Sequence, residues 1–226
     1  MGALEALTLM LALCPTTTDR PLRVLALGAH ADDIEIGAGA SMLRWQRERS
    51  VEIRALVFSA TVERRREAEH SAQLLYGNAS SWSLDVHDFA ENLFPDQVEA
   101  LKATIAELRS FEPDLVITHR LIDRHQDHRT IAEITWQAFR DHTILQYEIP
   151  KWEGDLTTPN LYVPIEQEDL DRKLGILVEA YRSQAGKPWF DAEAFRGLAR
   201  LRGVECGVRW AEGFHADKLV LALASR

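Results

Sequence analysis

Two short clusters of histidine and aspartate are the residues of this sequence best suited to chemistry. Each cluster follows an apolar run, at residues 24–28 and at residues 115–118, of the kind that forms a buried strand. The clusters are His30-Ala31-Asp32-Asp33 and His125-Gln126-Asp127-His128. Two histidines and one aspartate can hold a zinc ion and leave coordination positions open for water and substrate. The pair of clusters therefore predicts a metal-dependent hydrolase.

The first cluster supplies candidates for two ligands and a base. On a tight turn after the apolar run, His30 and Asp33 can converge on one ion while Asp32 points beside it, free to accept a proton. The plainer alternative is a helix N-terminus at which Asp32 and Asp33 cap free backbone N–H groups. The presence of a matching second cluster favours the functional site.

The second cluster supplies a third ligand and two supporting groups. His128 is the candidate ligand, and Asp127 can hold a histidine ring in the tautomer that a metal needs. His125 can donate a hydrogen bond to an oxygen that becomes negative during a reaction. Four of the eight histidines lie at the two strand ends, which makes chance placement a poor explanation. The remaining one of these four, His119, is interpreted only as a frame for the loop.

The elements around the clusters alternate between strand and helix. Strands are predicted at residues 23–27, 51–59, 81–84, 114–118, 143–147, 160–164 and 217–223. Helices are predicted at residues 37–48, 62–76, 96–110, 130–140, 168–181 and 192–202. This alternation is typical of an α/β domain with a mostly parallel sheet and helices on both faces, in three layers. Because the carboxyl ends of neighbouring parallel strands line one crevice, the two clusters are expected to meet there.

Length, charge and cysteine content exclude several classes of protein. The 226 residues suffice for one large domain, predicted at residues 21–226 after an apolar segment and connector at residues 1–20. A net charge of -9 argues against general binding to nucleic acid or to anionic membranes. The two cysteines, Cys14 and Cys206, allow neither a disulfide framework nor a cysteine-rich zinc module, and they fit a cytoplasmic protein best.

The apolar stretch at residues 3–14 is the one feature that suggests a targeting segment. It is too short to span a bilayer, and it lacks the basic start and the small-residue cleavage site of a secretory signal. We expect a helix that packs on the domain or on another subunit, although a misassigned start codon would also account for it.

The two clusters resemble the motifs of a known family. Residues 28–39 resemble the His-Pro-Asp-Asp…Gly-x-Gly-Gly signature of the LmbE-like (PIG-L type) N-deacetylases, and residues 125–129 resemble their downstream His-x-Asp-His motif. The resemblance extends over residues 22–223 and depends on both motifs together. It implies a Rossmann-like fold, a divalent metal that is usually zinc, and hydrolysis of an N-acyl group, most often acetyl on a glucosamine-type sugar.

The resemblance also implies a role for each residue of the clusters. By position, the metal ligands are His30, Asp33 and His128, the general base is Asp32, the oxyanion donor is His125, and the residue that supports a ligand is Asp127. Ala31 replaces the usual proline, and Ala40 replaces the usual second glycine of the pair, which bears on substrate fit rather than on metal binding.

A third motif is ambiguous in register. The family has an Arg-x-x-Glu helix start whose arginine reaches the substrate, and both Arg64 with Glu67 and Arg66 with Glu69 match it. We take Arg66 as the candidate substrate contact. A solvated charged face, stabilised by pairs three residues apart, is an equally good interpretation of the same residues.

Together these observations predict a mononuclear zinc N-deacetylase that acts through a water activated by the metal. The substrate is expected to be an N-acetylated sugar, sugar nucleotide or glycoconjugate, and Fe(II) competes for the same ligands. Three alternatives are a metal-dependent phosphoesterase, a Rossmann-type cofactor-binding enzyme and a non-enzymatic metal-binding module. A homo-oligomer is left open, and neither nucleic acid nor a membrane span is expected.

Overall fold

Strands and helices alternate along residues 20–219, the part of the chain that this computed structural model describes. The strands are β1 (Leu22–His30), β2 (Val51–Ser59), β3 (Ser81–Val86), β4 (Leu115–Thr118), β5 (Thr143–Tyr147), β6 (Leu161–Pro164) and β7 (Ala211–His215). The helices are α1 (Asp33–Glu48), α2 (Val62–Tyr76), α3 (Val98–Glu107), α4 (Gln126–Ala138), α5 (Gln167–Ala180) and α6 (Ala192–Glu205). Short 3-10 turns occur at Phe94–Gln97, Leu108–Phe111 and Arg182–Gln184. The predicted α/β architecture is confirmed.

The strands form one sheet in the order β3-β2-β1-β4-β5-β7-β6. The pairs from β3 to β5 are parallel, whereas β7 runs antiparallel to both β5 and β6. The chain moves outward in one direction from β1 to β3 and in the other from β4 to β5. The strand order therefore reverses between β1 and β4, and ligands of open α/β sheets bind at such a switch point.

Alternate residues of β1 enter two apolar layers. Val24 and Ala26 pack into the core beneath α1, α2, α5 and α6. Leu25 and Leu27 pack into the opposite core, beneath α3 and α4. Successive side chains of a strand point to opposite faces, so a strand buried on both faces must be apolar throughout. This requirement explains the continuous apolar run that precedes the first cluster.

Two helices begin earlier than predicted, and the difference matters for the site. α1 begins at Asp33 rather than at residue 37, and α4 begins at Gln126 rather than at residue 130. The first turn of α4 is polar throughout, and that of α1 carries two carboxylates, Asp33 and Glu35, so both segments were predicted as loops. Asp33 and His128 therefore lie on the first turns of helices, where the backbone holds them in place.

The last strand of the described residues is β7, which the sequence did not predict. Of the strand predicted at residues 217–223, residues 217–219 are not in a strand, and the rest lies outside the described residues. The strand was not predicted because Glu212 interrupts its apolar pattern, and a carboxylate is unexpected in a buried position. It is stabilised there by Lys173, whose Nζ lies 2.6 Å from Glu212 Oε1, and by the backbone N–H of Ser41, which donates to Oε2 at 2.7 Å.

Both ends of the chain lie outside the described residues. The predictions for the apolar segment at residues 1–19 and for the strand beyond residue 219 fall there. Within residues 20–219, no helix has both the length and the apolar character that crossing a membrane requires.

Candidate metal centre and active site

The two clusters meet in a cavity of about 600 Å³ at the carboxyl end of the sheet. His30, the last residue of β1, lies on its floor together with residues from the first turn of α1. His125 and His128 reach the same floor from the loop after β4 and from α4. Pairing of β1 with β4, in which Ala26 lies opposite Ile117, brings these two parts of the chain together.

The link between β1 and α1 is a tight turn built on Asp32. Asp32 has a φ of 99°, a left-handed conformation that aspartate tolerates better than most residues. Its side chain makes no capping hydrogen bond to α1. The backbone N–H of His30 instead donates to Asp33 Oδ2 at 2.7 Å. The turn thus folds Asp33 back toward the strand end, and the capping alternative does not describe Asp32.

Three side chains have the separations of a tetrahedral zinc site. His30 Nδ1 lies 3.2 Å from His128 Nε2. The carboxylate of Asp33 lies 3.6 Å from each ring, through Oδ2 to His30 Nδ1 and through Oδ1 to His128 Nε2. Ligands at about 2.05 Å from a tetrahedral zinc are about 3.3 Å apart, so this donor set fits the ion. These are the three residues that the sequence proposed as ligands.

His128 is held in the tautomer that a metal requires. Its Nδ1 lies 3.1 Å from Asp123 Oδ2, which places the proton on Nδ1 and leaves the Nε2 lone pair facing His30. Burial lowers the pKa of His128 to about 3, so the ring is neutral at physiological pH. Neutral imidazole with a hydrogen-bonded distal nitrogen is the usual form of a metal-binding histidine.

Asp123 is a residue that the sequence analysis missed as a supporting group. Its Oδ2 also accepts from Lys151 Nζ at 3.0 Å, and its Oδ1 accepts from the backbone N–H of His125 at 2.8 Å. Burial favours the protonated acid, but the hydrogen bond from His128, followed by the charge of Lys151, keeps the pKa of Asp123 below its usual value. The only sequence signal is its spacing, two residues before His125.

Asp127 supports the other histidine. Its Oδ2 lies 3.1 Å from His30 Nε2, and it accepts backbone N–H groups from Asn92 at 2.6 Å and Phe94 at 3.2 Å. The side chain is fully buried. Each histidine of the triad is therefore backed by its own carboxylate, as the sequence proposed for Asp127 without identifying its partner.

Asp32 is paired with an arginine rather than with the histidines. Its Oδ2 lies 2.9 Å from Arg64 Nη2, which also donates to the carbonyl oxygen of Ala31. The other terminal nitrogen, Arg64 Nη1, lies 3.0 Å from Glu67 Oε2. Burial raises the pKa of Asp32 to about 7, against the opposing charge of Arg64. A carboxyl group with a pKa in this range can accept or release a proton at neutral pH.

Arg66, the predicted substrate contact, does not reach the cavity. It lies on the exposed face of α2, whereas Arg64 lines the cavity. The helix places residues two positions apart on different faces, so only one of the two registers can face the site. Arg64 with Glu67 is the pair that does so, which corrects the register chosen from the sequence.

Of three further histidines, one lines the cavity, His125, and two do not, His119 and His215. His125 lines the cavity, and its Nδ1 accepts from the backbone N–H of Asp127 at 3.3 Å, which leaves Nε2 to carry a proton. Burial, followed by the charge of His30, lowers its pKa, so the neutral donor form prevails. His119 is fully buried and accepts from the backbone N–H of Ala29 at 2.8 Å. His215 contacts Thr157 instead of the cavity.

Comparison with known proteins places the chain among deacetylases. The family model for GlcNAc-PI de-N-acetylases, PIG-L, matches residues 25–139, which include both clusters. The uncharacterized deacetylase YaiS of Escherichia coli K12 is 30% identical over 166 residues, which span 68% of this chain and 88% of YaiS.

Two solved structures show that the fold alone does not identify the reaction. The N,N'-diacetylchitobiose deacetylase of Pyrococcus horikoshii matches with a TM-score of 0.66 at 22% identity, over 88% of this chain and 84% of that one. The 4-carboxy-2-hydroxymuconate hydratase GalB of Pseudomonas putida KT2440 matches with a TM-score of 0.68 at 17% identity, over 90% and 99%. Since a deacetylase and a hydratase share the fold, the family assignment depends on the sequence matches. By those matches, this chain belongs to the PIG-L, or LmbE-like, family of de-N-acetylases.

Proposed function

We propose that this protein uses one zinc ion to remove the acetyl group from an N-acetylated amino sugar or sugar conjugate. The observation that carries the proposal is the separation of two functions within one cavity. The histidine–aspartate triad has the spacing of a zinc site, and Asp32, a carboxyl group outside that triad, lies beside it with a pKa near neutrality. Amide hydrolysis needs both an electrophile and a base.

The proposed ligands are His30, Asp33 and His128. When bound, a zinc ion supplies a Lewis acid that polarises the acyl carbonyl and acidifies a water molecule. Fe(II) accepts the same nitrogen and oxygen donors, so the identity of the ion is part of the proposal and of its test.

Asp32 is the proposed general base. Its Oδ2 is paired with Arg64, which leaves Oδ1 to take the proton of the attacking water. A new bond forms between the water oxygen and the acyl carbon, and the C–N bond of the amide then breaks. Asp32 returns the proton to the leaving amine, so that acetate and a free amino sugar are the products. Arg64 is the positioning residue that holds the carboxylate in place.

His125 is the proposed donor to the acyl oxygen. Its Nδ1 is occupied by the backbone N–H of Asp127, so the free Nε2–H can face the oxygen that becomes negative. A donor fixed in advance stabilises such an oxygen without reorganisation. The proposal thus gives the ligands, the base and the donor to separate side chains.

The decisive experiment measures zinc content and acetate release in the same variants. His30→Ala and His128→Ala should lose most bound zinc, and His70→Ala, which changes an exposed histidine of α2, should keep it. Asp32→Asn should keep the metal but release acetate about two to four orders of magnitude more slowly. The substrates are a panel of N-acetylated sugars and sugar nucleotides. Full zinc occupancy in both histidine variants, or unchanged turnover in Asp32→Asn, would contradict the assignment.

A further inference from the structure

An exposed tryptophan stands at the mouth of the cavity. Trp152 lies on the loop between β5 and β6 and lines the same cavity as His30 and Asp32. It is 73% exposed, and within the described residues it packs against neither core cluster. A single exposed apolar side chain is ordinary on a protein surface, but Trp152 lines the cavity that holds the candidate reacting groups, so its indole is available to a ligand there.

The residues on either side of Trp152 are hydrogen-bonded to the segment between β4 and α4. Before it, Lys151 Nζ donates to Asp123 Oδ2 at 3.0 Å. After it, the carbonyl oxygen of Glu153 accepts from Arg124 at 2.9 Å. Both partners belong to the segment between β4 and α4 that carries His125. The backbone at Trp152 is therefore anchored beside the segment that carries His125, which lowers the entropic cost of ordering this loop around a ligand.

A second tryptophan that lines the cavity, Trp189, packs against other residues. Trp189 is half-buried and lies edge-on to Phe190, with ring centroids 5.6 Å apart and an interplanar angle of 85°. It packs against the larger core cluster, and Lys187 Nζ lies 5.7 Å from its ring. Trp189 thus has structural partners, whereas the face of Trp152 is open to a ligand.

The size of the cavity indicates that the ligand is larger than the reacting group. At about 600 Å³ it lies within the range of pockets that hold drug-sized ligands, about 300–1,000 Å³. The triad and Asp32 form only part of its lining, and residues 151–153 and 187–189 line another part, so space beyond the reacting groups is available to the rest of the substrate.

We propose that Trp152 stacks on a second sugar ring, so that the substrate is an N-acetylated disaccharide or longer glycan rather than a free monosaccharide. The inference rests on the proposed deacetylase function and names its substrate class. Pyranose rings present a face of C–H groups and a rim of hydroxyls, which suits an indole with an apolar face and a polar edge. A sugar is favoured over a second copy of this chain because the indole lines the same cavity as the reacting groups.

The first test compares two substrates in four proteins. We expect the unaltered enzyme to have a higher kcat/KM for N,N'-diacetylchitobiose than for N-acetylglucosamine. Trp152→Ala should lower the ratio of these two constants about tenfold, the effect expected of one aromatic contact. Trp152→Phe should retain most of the ratio, and Trp82→Ala, which changes an exposed tryptophan of β3 outside the cavity, should not alter it. An unchanged ratio in Trp152→Ala, whether or not kcat/KM falls for both sugars, would overturn the inference.

The second test does not depend on turnover. Binding of N,N'-diacetylchitobiose to Asp32→Asn is measured by calorimetry, with and without the additional change Trp152→Ala. Weaker binding in the double variant supports the subsite even where no acetate is released from any sugar, a result that would refute the proposed function alone. Equal binding in the two proteins overturns the subsite. Dissociation of an oligomer by Trp152→Ala, measured by light scattering, with an unchanged sugar ratio, would assign the indole to contact between copies and also overturn it.

Discussion

Replacing Asp123 with asparagine should weaken zinc binding without removing a ligand. The carboxylate accepts three hydrogen bonds, from His128 Nδ1, from Lys151 Nζ and from the backbone N–H of His125. An amide of the same shape has one accepting oxygen and one NH₂ group. Whichever way it turns, the NH₂ group faces a donor, so at least one buried donor loses its partner.

Two magnitudes follow from this geometry. Leaving a buried donor unsatisfied costs about 1–3 kcal/mol of stability in the metal-free protein. Loss of the carboxylate that orients a metal-binding histidine typically costs about 10–100-fold in metal affinity, or about 1.4–2.7 kcal/mol. The second effect arises because a neutral partner no longer fixes the proton on His128 Nδ1 or raises the basicity of Nε2.

The assay is a zinc titration of the metal-free protein in competition with a chromophoric chelator. Asp155→Asn is the matched control, because Asp155 also pairs with Lys151, at 2.8 Å. Among the hydrogen bonds of the described residues, it has none to His125 or His128. The control should keep the zinc affinity of the unaltered protein. The argument fails if Asp123→Asn binds zinc as tightly as the unaltered protein, or if the control loses as much affinity.

Two further predictions concern the reaction and the fold. His125→Ala should keep its zinc and lower the maximal rate of acetate release by about 10²–10³-fold, and near-normal kinetics would remove His125 from the mechanism. Gly37→Ala would place a Cβ 2.3 Å from Tyr147 Cδ2 and should cost about 1–3 kcal/mol in urea unfolding. Gly175→Ala, on a helix with no atom within 4 Å of the new Cβ, should instead add up to about 1 kcal/mol; equal destabilisation by the two changes would contradict the packing argument.

The strands that position the site could be predicted because strands buried on both faces consist almost entirely of apolar residues. The apolar run of β1 identifies it as a buried strand without any knowledge of the residues that pack against it. The opposite holds for buried polar residues: Glu35 lies in the first turn of α1 and is satisfied by Ser71, whose Oγ donates at 2.6 Å. Such partners are far apart in sequence, so the turn resembled an exposed loop, and β7 was missed for the same reason.

The candidate ligands could be found from residue type and spacing, whereas their supporting residues could not. Asp123 supports His128 through a hydrogen bond, and Arg64 supports Asp32 through an ion pair. Both contacts exist only in the folded chain. The register of the charged run in α2 likewise depends on which helix face meets the cavity. The sequence pattern can therefore predict the candidate metal ligands. The choice between Arg64 and Arg66, in contrast, requires knowledge of how α2 packs.

The adjacency of β1 and β4 would make occupancy of the proposed metal site depend on formation of the whole sheet. His30 and His128 are separated by nearly a hundred positions along the chain and meet only after these strands have paired. A ligand that binds the native state alone stabilises it by RT ln(1 + [L]/Kd), so an ion held there would raise the unfolding free energy of the entire sheet. Chelation would then lower the melting temperature of the protein.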